Sequence, residues 1–163
     1  MRRRKPDPAA LAAADDPRAA RLAALKLLNR RDHGARELAE RLVARGFGRS
    51  AAEQAVEGLC QERLVDDGRF AEHFVAYHAN RGRGPVAIAH RLRQAGVAPA
   101  AIAAAVDAGA ASWRRRCAEV RQKRFGVKSP ASWAEKGRQA RFLTQRGFSA
   151  DQVRAAVGGE HED

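Results

Sequence analysis

Three glycines, Gly46, Gly96 and Gly147, set the period of this chain, because they lie 50 and 51 residues apart and apolar residues recur around them. The recurring positions are Leu42, Leu92 and Leu143 four residues before the glycine, Phe47, Val97 and Phe148 one after it, Ala52, Ile102 and Val153 six after it, and Val56, Val106 and Val157 ten after it. Glycine adopts the left-handed conformation that often ends a helix. Agreement at four offsets around such a residue indicates an internal repeat. The sequence therefore predicts three tandem three-helix units.

The predicted fold class is all-α, because no stretch shows the two-residue alternation of a half-buried strand. Units that contact only their neighbours stack in a row, so we expect an elongated, curved, solenoid-like molecule. The predicted boundaries are a flexible basic-headed tail at 1–16, three-helix repeats at 17–63, 64–110 and 111–158, and an acidic tail at 159–163.

Several helix starts are predicted from capping residues. They are Asp16-Pro17, Gly34, the capping box Ser50-Ala-Ala-Glu53, Asp66, Pro85, Pro99, Ser129-Pro130 and the capping box Ser149-Ala-Asp-Gln152. In the first helix, the apolar spacing predicts a buried stripe of Leu22, Leu25 and Leu28.

The central segment Leu64–Tyr77 holds the densest aromatic pattern. Phe70, Phe74, Tyr77 and His78 recur at helical spacing after the capping carboxylate of Asp66. We interpret Phe70, Phe74 and Tyr77 as core residues, the alternative being a binding face. The Arg81-Gly-Arg-Gly84 run that follows is either a linker or a basic loop that contacts phosphate.

Net charge points to a polyanionic partner. The 163 residues include 31 Lys and Arg against 19 Asp and Glu, a net charge of +12. Residues 112–146 alone carry eleven basic and two acidic side chains, a net +9. Because a solvated helix face usually mixes both signs, this segment is predicted to contact a polyanion. Trp113, Phe125 and Trp133 lie among these basic residues and either stack on bases or belong to the core.

No catalytic or metal-binding constellation is found in the sequence. His33, His73, His78, His90 and His161 lack metal-ligand spacing, and the adjacent carboxylates of Asp66 and Asp67 do not face each other on a helix. Ser129 and Ser149 occupy cap positions, and Arg81–Gly84 lacks the Gly-Lys-Ser/Thr ending of a P-loop. We therefore predict a protein that is not an enzyme and uses no cofactor or metal.

Cysteine usage and hydropathy favour the cytoplasm. Cys60 and Cys117 lie in apolar helical patterns outside any CxxC, as expected of small buried residues in a reducing compartment. No apolar run approaches the roughly 20 residues that span a bilayer. The basic start Met1–Lys5 is followed by Pro6-Asp-Pro8 instead of the apolar segment of a signal peptide.

Four motifs, in this order, make the chain resemble the RecX family. They are Ala24-Leu25-x-x-Leu28-x-x-Arg31, Glu37-Leu38-x-x-Arg41-Leu42-x-x-Arg45-Gly46-Phe47, Leu64-Val65-Asp66-Asp67-x-Arg69-Phe70-Ala71 and Phe142-Leu143-x-x-Arg146-Gly147-Phe148. The third is the most specific. The chain departs from the family pattern at Gly34, where serine is usual, and at Ala95-Gly96-Val97, where Arg-Gly-Phe is usual.

The resemblance implies three three-helix repeats, without catalysis, in a regulator of the bacterial RecA recombinase. It further implies binding to RecA and its filament on single-stranded DNA, with inhibition of the recombinase, ATPase and coprotease activities. The alternative is a sequence-nonspecific DNA-binding protein that acts by competition for DNA. We expect a monomer that also binds DNA directly, more weakly and with salt sensitivity. The predicted contact residues are Arg69, Arg81, Arg83, Arg91, Arg93, Arg114, Arg115, Arg116, Lys123, Arg124, Arg138 and Arg141.

Overall fold

The computed structural model describes residues 13–107 and 110–158, and over these residues all the regular secondary structure is helical. The helices that lie wholly within these ranges are α1 Pro17–Leu28, α2 Ala35–Ala44, α3 Arg49–Gln61, α4 Asp67–Asn80, α5 Pro85–Gln94, α6 Pro99–Asp107, α7 Ala110–Phe125, α8 Trp133–Gln145 and α9 Ala150–Val157. The predicted all-α class is confirmed, and the helices follow one another in three groups of three.

The three repeat glycines end α2, α5 and α8, each in the left-handed region. Their φ angles are 99° at Gly46, 78° at Gly96 and 90° at Gly147. After α2 the Phe47 N–H donates to the Leu42 carbonyl, at an N–O distance of 3.1 Å. After α8 the corresponding Phe148 N–H donates to the Leu143 carbonyl at 3.2 Å. This bonding satisfies carbonyls that the last helical turn would leave unpaired, so the repeat in the sequence marks equivalent helix ends.

The chain divides into two compact units. The first unit extends to Phe70 and includes Ala95–Val97, and the second contains Ala71–Gln94 and the chain from Ala98 onward. In the first unit α1, α2 and α3 pack against one another. Their shared core consists of Ala20, Ala24, Leu27, Leu38, Leu42, Ala52, Ala55, Val56, Leu59 and Val65.

The predicted leucine stripe of α1 is only partly correct, because Leu25 and Leu28 are half-buried against the core but Leu22 is not. Leu22 is 63% exposed, whereas Ala20, Ala24 and Leu27 are buried. These buried residues follow the i, i+4, i+7 spacing of one helical face. Two of the three are alanines, so the centre of the packed face is formed largely by small residues, with Leu25 and Leu28 at its edge.

Two carboxylates at the start of α4 have different roles. Asp66 accepts a hydrogen bond from the Arg69 N–H at 3.0 Å, which confirms the predicted cap. Asp67 accepts from the Ala35 N–H at 2.8 Å, at the start of α2. Gly34, the residue that precedes α2, has no side chain to cap it. Asp67 therefore supplies, from a distant part of the chain, the acceptor that Gly34 lacks.

Two further predicted capping sites are confirmed, and two are wrong. Asp16 caps α1, and Ser149 with Gln152 forms the predicted capping box of α9. Ser50 lies inside α3, which begins at Arg49 after Gly48, and its Oγ accepts from Gln54 Nε2 at 3.1 Å.

The second wrong start is Ser129-Pro130, because α8 begins only at Trp133 and is capped by Ser132. The preceding segment is fixed in a non-helical conformation by Arg121, whose Nη2 donates to the Lys128 carbonyl at 2.5 Å. The Ala131 N–H also donates to Glu135 Oε2 at 2.8 Å.

The second unit is built from most of α4 and from α5 to α9. Helix α5 packs on α6, and α7, α8 and α9 pack on one another. The core includes Ile88, Leu92, Ile102, Trp113, Cys117, Leu143, Phe148, Val153 and Val157. The third repeat thus buries its residue at all four offsets, whereas in the second repeat the residue at the last offset, Val106, is half-buried.

Candidate nucleic-acid interface

A groove in the second unit brings together six of the twelve predicted contact residues. Its volume is about 1090 Å³, and it is lined by the end of α4, the turn after it, α5, α7 and the end of α8. We call it the basic groove. The six predicted residues that line it are Arg81, Arg83, Arg91, Arg116, Lys123 and Arg124.

Helix α7 contributes one face to the groove. Arg116, Val120, Lys123 and Arg124 line it, at positions i, i+4, i+7 and i+8. With 3.6 residues per turn, this spacing repeats on one side of a helix. Arg114 and Arg115 precede them on α7, are exposed and lie outside the groove. Of the three consecutive arginines, only Arg116 therefore lines the groove.

Backbone hydrogen bonds hold the Arg81–Gly84 turn against the end of α8. The Gly84 N–H donates to the Arg146 carbonyl at 2.8 Å, and the Val86 N–H donates to the Gly147 carbonyl at 2.9 Å. A Cβ on Gly84 would lie 2.3 Å from the backbone of Gly147, so no larger residue fits there without a shift. We call these paired bonds the backbone latch. It joins the turn that carries Arg81 and Arg83 to the end of α8, where Arg146 lines the same groove and was not among the predicted contacts.

Two groove arginines stack on aromatic rings that also line the groove. The Arg81 guanidinium carbon lies 3.9 Å from the centre of the Tyr77 ring, and that of Arg146 lies 5.3 Å from the centre of Phe142. A stacked guanidinium keeps its N–H edge available for a carboxylate or phosphate. The stacks therefore orient donors before any ligand binds.

The predicted aromatic core of α4 is only partly correct. Phe70 is 7% exposed and belongs to the core, whereas Tyr77 is 56% exposed. Phe74 is half-buried, with its ring centre 4.2 Å from that of His78. Tyr77 is wrong as a core residue because the buried face of α4 continues through Ala71, Val75 and Ala79 instead.

Positive charge in the groove is poorly balanced. Seven basic side chains line it, with Glu119 as the one carboxylate among the lining residues. Burial, followed by the nearby charges of Arg91 and Arg83, lowers the pKa of His78 below its ordinary value of 6.5. The excess of cations over carboxylates gives the groove a positive potential that a bound anion would relieve.

The other predicted contact residues do not line the groove. Arg69, Arg93, Arg114, Arg115, Arg138 and Arg141 are exposed elsewhere on the chain. Arg69 Nη2 donates to the Leu64 carbonyl at 3.4 Å, and Arg115 lies 3.7 Å from Glu119. Arg121, which was counted in the basic segment, is buried and donates from Nε to Gln139 Oε1 at 3.0 Å. It shapes the fold and is not available to a ligand.

The three aromatic residues of the basic segment have different environments. Trp113 is buried, and its Nε1–H donates to the Val106 carbonyl at 3.1 Å. Phe125 is half-buried and packs edge-on against Phe142. Trp133 is 89% exposed at the start of α8. Base stacking thus remains open to Trp133 but not to Trp113.

Within residues 13–107 and 110–158, no three His, Cys, Asp or Glu side chains are grouped as metal ligands. Both cysteines are free, and burial raises the pKa of Cys117 to about 11, which keeps it a thiol. In the same ranges, no helix has the length and apolar character needed to cross a membrane.

Charge is distributed unequally between the two units. Residues 13–70 contain eleven Arg and Lys and ten Asp and Glu, a net +1. The part of the second unit at 71–94 and 98–158 contains sixteen and five, a net +11. A polyanion would therefore be attracted to the second unit.

Family profiles for the three successive three-helix domains of RecX match residues 20–59, 66–106 and 115–157. The regulatory protein RecX of Halorhodospira halophila is 48% identical over 145 residues, which cover 89% of this chain and 90% of that protein. The same-named protein of Stenotrophomonas maltophilia strain R551-3 is 38% identical over 140 residues, covering 86% of each chain.

Solved structures show the same fold. The crystal structure of RecX from Lactobacillus salivarius aligns with a TM-score of 0.76 and 19% identity, over 89% of this chain and 96% of that chain. A second crystal structure of a regulatory protein RecX aligns with a TM-score of 0.72 and 24% identity, over 98% and 81%.

Proposed function

The chain belongs to the RecX family of regulatory proteins, and from this premise we propose that it binds the RecA recombinase and its filament on single-stranded DNA. Binding inhibits the recombinase, ATPase and coprotease activities of RecA and so regulates DNA repair and recombination. The protein acts in the cytoplasm as a monomer, through binding and without catalysis.

The basic groove is the observation that carries this proposal. A nucleoprotein filament presents DNA phosphates, and a site for them needs several cations that are not already paired with carboxylates. The groove offers seven basic side chains and one carboxylate. We assign the DNA contact of the filament complex to this groove, with Arg81, Arg146 and the α7 face as its donors.

The first unit is the better candidate for contact with RecA itself. Its surface is nearly neutral, at net +1 over residues 13–70, and many of its charges are paired within the unit. Examples are Arg21 with Glu62 at 2.8 Å and Arg36 with Glu40 at 2.9 Å. A surface with internally paired charges suits a protein partner, whereas the unbalanced groove suits DNA.

The experiment is a titration of RecA filaments that are already assembled on single-stranded DNA. The protein is added at concentrations too low to coat free DNA, and strand exchange and ATP hydrolysis are followed. We expect inhibition of both. Inhibition that appears only when the protein meets DNA before RecA would contradict the proposal and favour the alternative, competition for DNA.

Paired variants test the assignment of the groove. Lys123→Ala with Arg124→Ala removes two groove cations from α7, and Arg114→Ala with Arg115→Ala removes two exposed cations from the same helix outside the groove. We expect the first pair to need a higher protein concentration for half-inhibition and the second pair to behave as the parent protein. Equal effects would show that the groove has no special role.

A further inference from the structure

The basic groove is concave and limited in extent, which distinguishes it from a flat basic face. Its volume of about 1090 Å³ is slightly larger than the roughly 300–1000 Å³ of small-molecule sites. A flat surface suffices for the phosphates of a long strand, because they lie on the outside of the polymer. A groove of this size can also hold a complete small ligand.

The density of cations suits a ligand with several charges close together. A nucleic-acid strand carries one negative charge per nucleotide, whereas a polyphosphate chain concentrates several within the length of one nucleotide. The seven basic side chains and the one carboxylate, Glu119, leave an excess of positive charge in the groove. A stretch of only a few nucleotides, with one negative charge each, would not neutralise it.

Three of the guanidinium groups are held in place without a ligand. Arg81 and Arg146 stack on Tyr77 and Phe142, and Arg116 Nη1 donates to Asn80 Oδ1 at 3.1 Å. Donors that are already oriented lose less side-chain entropy when they bind. The backbone latch fixes Arg81 relative to Arg146 through hydrogen bonds of 2.8 and 2.9 Å.

We propose that the basic groove binds a compact polyphosphate chain, as carried by a nucleoside triphosphate or by free tripolyphosphate, and that this ligand competes there with DNA. The competition rests on the proposed function, because it requires DNA to use the groove. Binding of the polyphosphate itself does not depend on the proposed function.

The test is isothermal titration calorimetry of the full chain at physiological salt, with tripolyphosphate, ATP and AMP as ligands. We expect saturable one-to-one binding of tripolyphosphate and ATP, with AMP bound at least about tenfold more weakly because it carries a single phosphate. Tighter binding of ATP than of tripolyphosphate, lost in Tyr77→Ala, would identify a nucleotide site. Equal binding would identify a site for the phosphate chain alone.

The matched variants are Arg81→Ala with Arg146→Ala in the groove and Arg114→Ala with Arg115→Ala outside it. The first pair should weaken ATP binding by about tenfold or more, and the second should leave it unchanged. Absence of saturable binding, or equal losses in both pairs, would overturn the inference.

A displacement assay separates this inference from the proposed function. Tripolyphosphate should release a fluorescent single-stranded oligonucleotide from the parent protein. If the groove variants lose RecA inhibition but the parent binds no polyphosphate, the inference fails and the proposed function stands. If polyphosphate binds and the groove variants still inhibit RecA fully, the ligand site stands and the assignment of DNA to the groove is wrong.

Discussion

Tyr77 and Phe70 lie two turns apart on α4 and have opposite environments. Phe70 is packed in the core, whereas the exposed Tyr77 carries the Arg81 guanidinium 3.9 Å from its ring centre. Removal of a buried aromatic ring costs about 3–5 kcal/mol, and an exposed cation–π contact contributes about 0.5–1 kcal/mol. The same residue class therefore stabilises the fold at one position and orients a donor at the other.

Phe70→Ala should lower the free energy of unfolding by about 3–5 kcal/mol, whereas Tyr77→Ala should lower it by about 1 kcal/mol or less. Chemical denaturation followed by circular dichroism measures both. In DNA binding the order should reverse, because Tyr77→Ala frees the Arg81 side chain. A large loss of stability in Tyr77→Ala would restore the interpretation of Tyr77 as a core residue.

His78 should couple DNA affinity to pH. Burial and the charges of Arg91 and Arg83 lower its pKa in the free protein, and a bound phosphate would raise it again. Binding then takes up a proton between the two pKa values. Affinity for a phosphodiester strand should increase as pH falls through this window, around and below 6.5, by at most about tenfold per pH unit for one proton.

The measurement is the dissociation constant of oligo(dT) between pH 7.5 and 5.5, in the parent protein and in His78→Gln. Oligo(dT) is suitable because neither its phosphodiesters nor its bases titrate in this range. His78→Gln should flatten the dependence. An unchanged slope in this variant would show that His78 is not the source of the pH dependence.

At the scale of the helices, the start of α2 depends on a residue from another part of the chain. Asp67 is 32 positions beyond Ala35, whose N–H it accepts at 2.8 Å. Asp67→Ala should lower the free energy of unfolding by about 0.5–2 kcal/mol, as expected of a lost cap. Asp67→Asn should keep most of the stability of the parent protein, because the asparagine side chain can still accept the hydrogen bond. Thermal and urea denaturation are the measurements.

Ser50→Ala is the control for Asp67. Ser50 lies inside α3 and caps nothing, so its replacement should change the free energy of unfolding by about 0.5 kcal/mol or less. A cost as large as that of Asp67→Ala would instead support the capping box that the sequence predicts at Ser50.

Helix ends were easier to predict from the sequence than helix starts. A left-handed residue after a helix strongly favours glycine, so Gly46, Gly96 and Gly147 are visible in the sequence itself. Helix starts tolerate several solutions. The helix that follows Gly34 is capped by the carboxylate of Asp67. The segment before α8 is kept out of the helix by the hydrogen bond from Arg121 to the Lys128 carbonyl. The first contact joins residues 32 positions apart and the second residues 7 apart, so both lie beyond the three-residue span of a capping motif.

The groove was predictable as a concentration of charge but not as a shape. The excess of basic residues at 112–146 was evident in the sequence, yet Arg121 is buried and Arg114 and Arg115 lie outside the groove. Arg114 and Arg115 lie outside the groove because they point to a different side of α7 from Arg116. Arg146 was missed because only the backbone latch, which joins residues about 60 positions apart in the chain, brings it beside Arg81.

At the scale of the whole molecule, the difference in charge between the units predicts that the proposed DNA binding owes its salt dependence to the second unit. Each neutralised phosphate adds about 0.7 to the logarithmic salt slope on single-stranded DNA. The triple variant Arg116→Ala, Lys123→Ala, Arg124→Ala should therefore lower the slope by about 1.4–2.1 if two or three of these residues meet phosphates.

The measurement is oligo(dT) affinity across a series of salt concentrations, with helical content checked by circular dichroism. The control is a second triple variant, Arg114→Ala, Arg115→Ala, Arg138→Ala, which removes the same charge from exposed positions outside the groove. This control should keep the parent slope, since its side chains lie elsewhere on the second unit. If both triple variants lower the slope equally, DNA responds to the net charge of the unit rather than to the groove. If only the control lowers the slope, DNA contacts the exposed arginines outside the groove, which the sequence also predicted as contact residues.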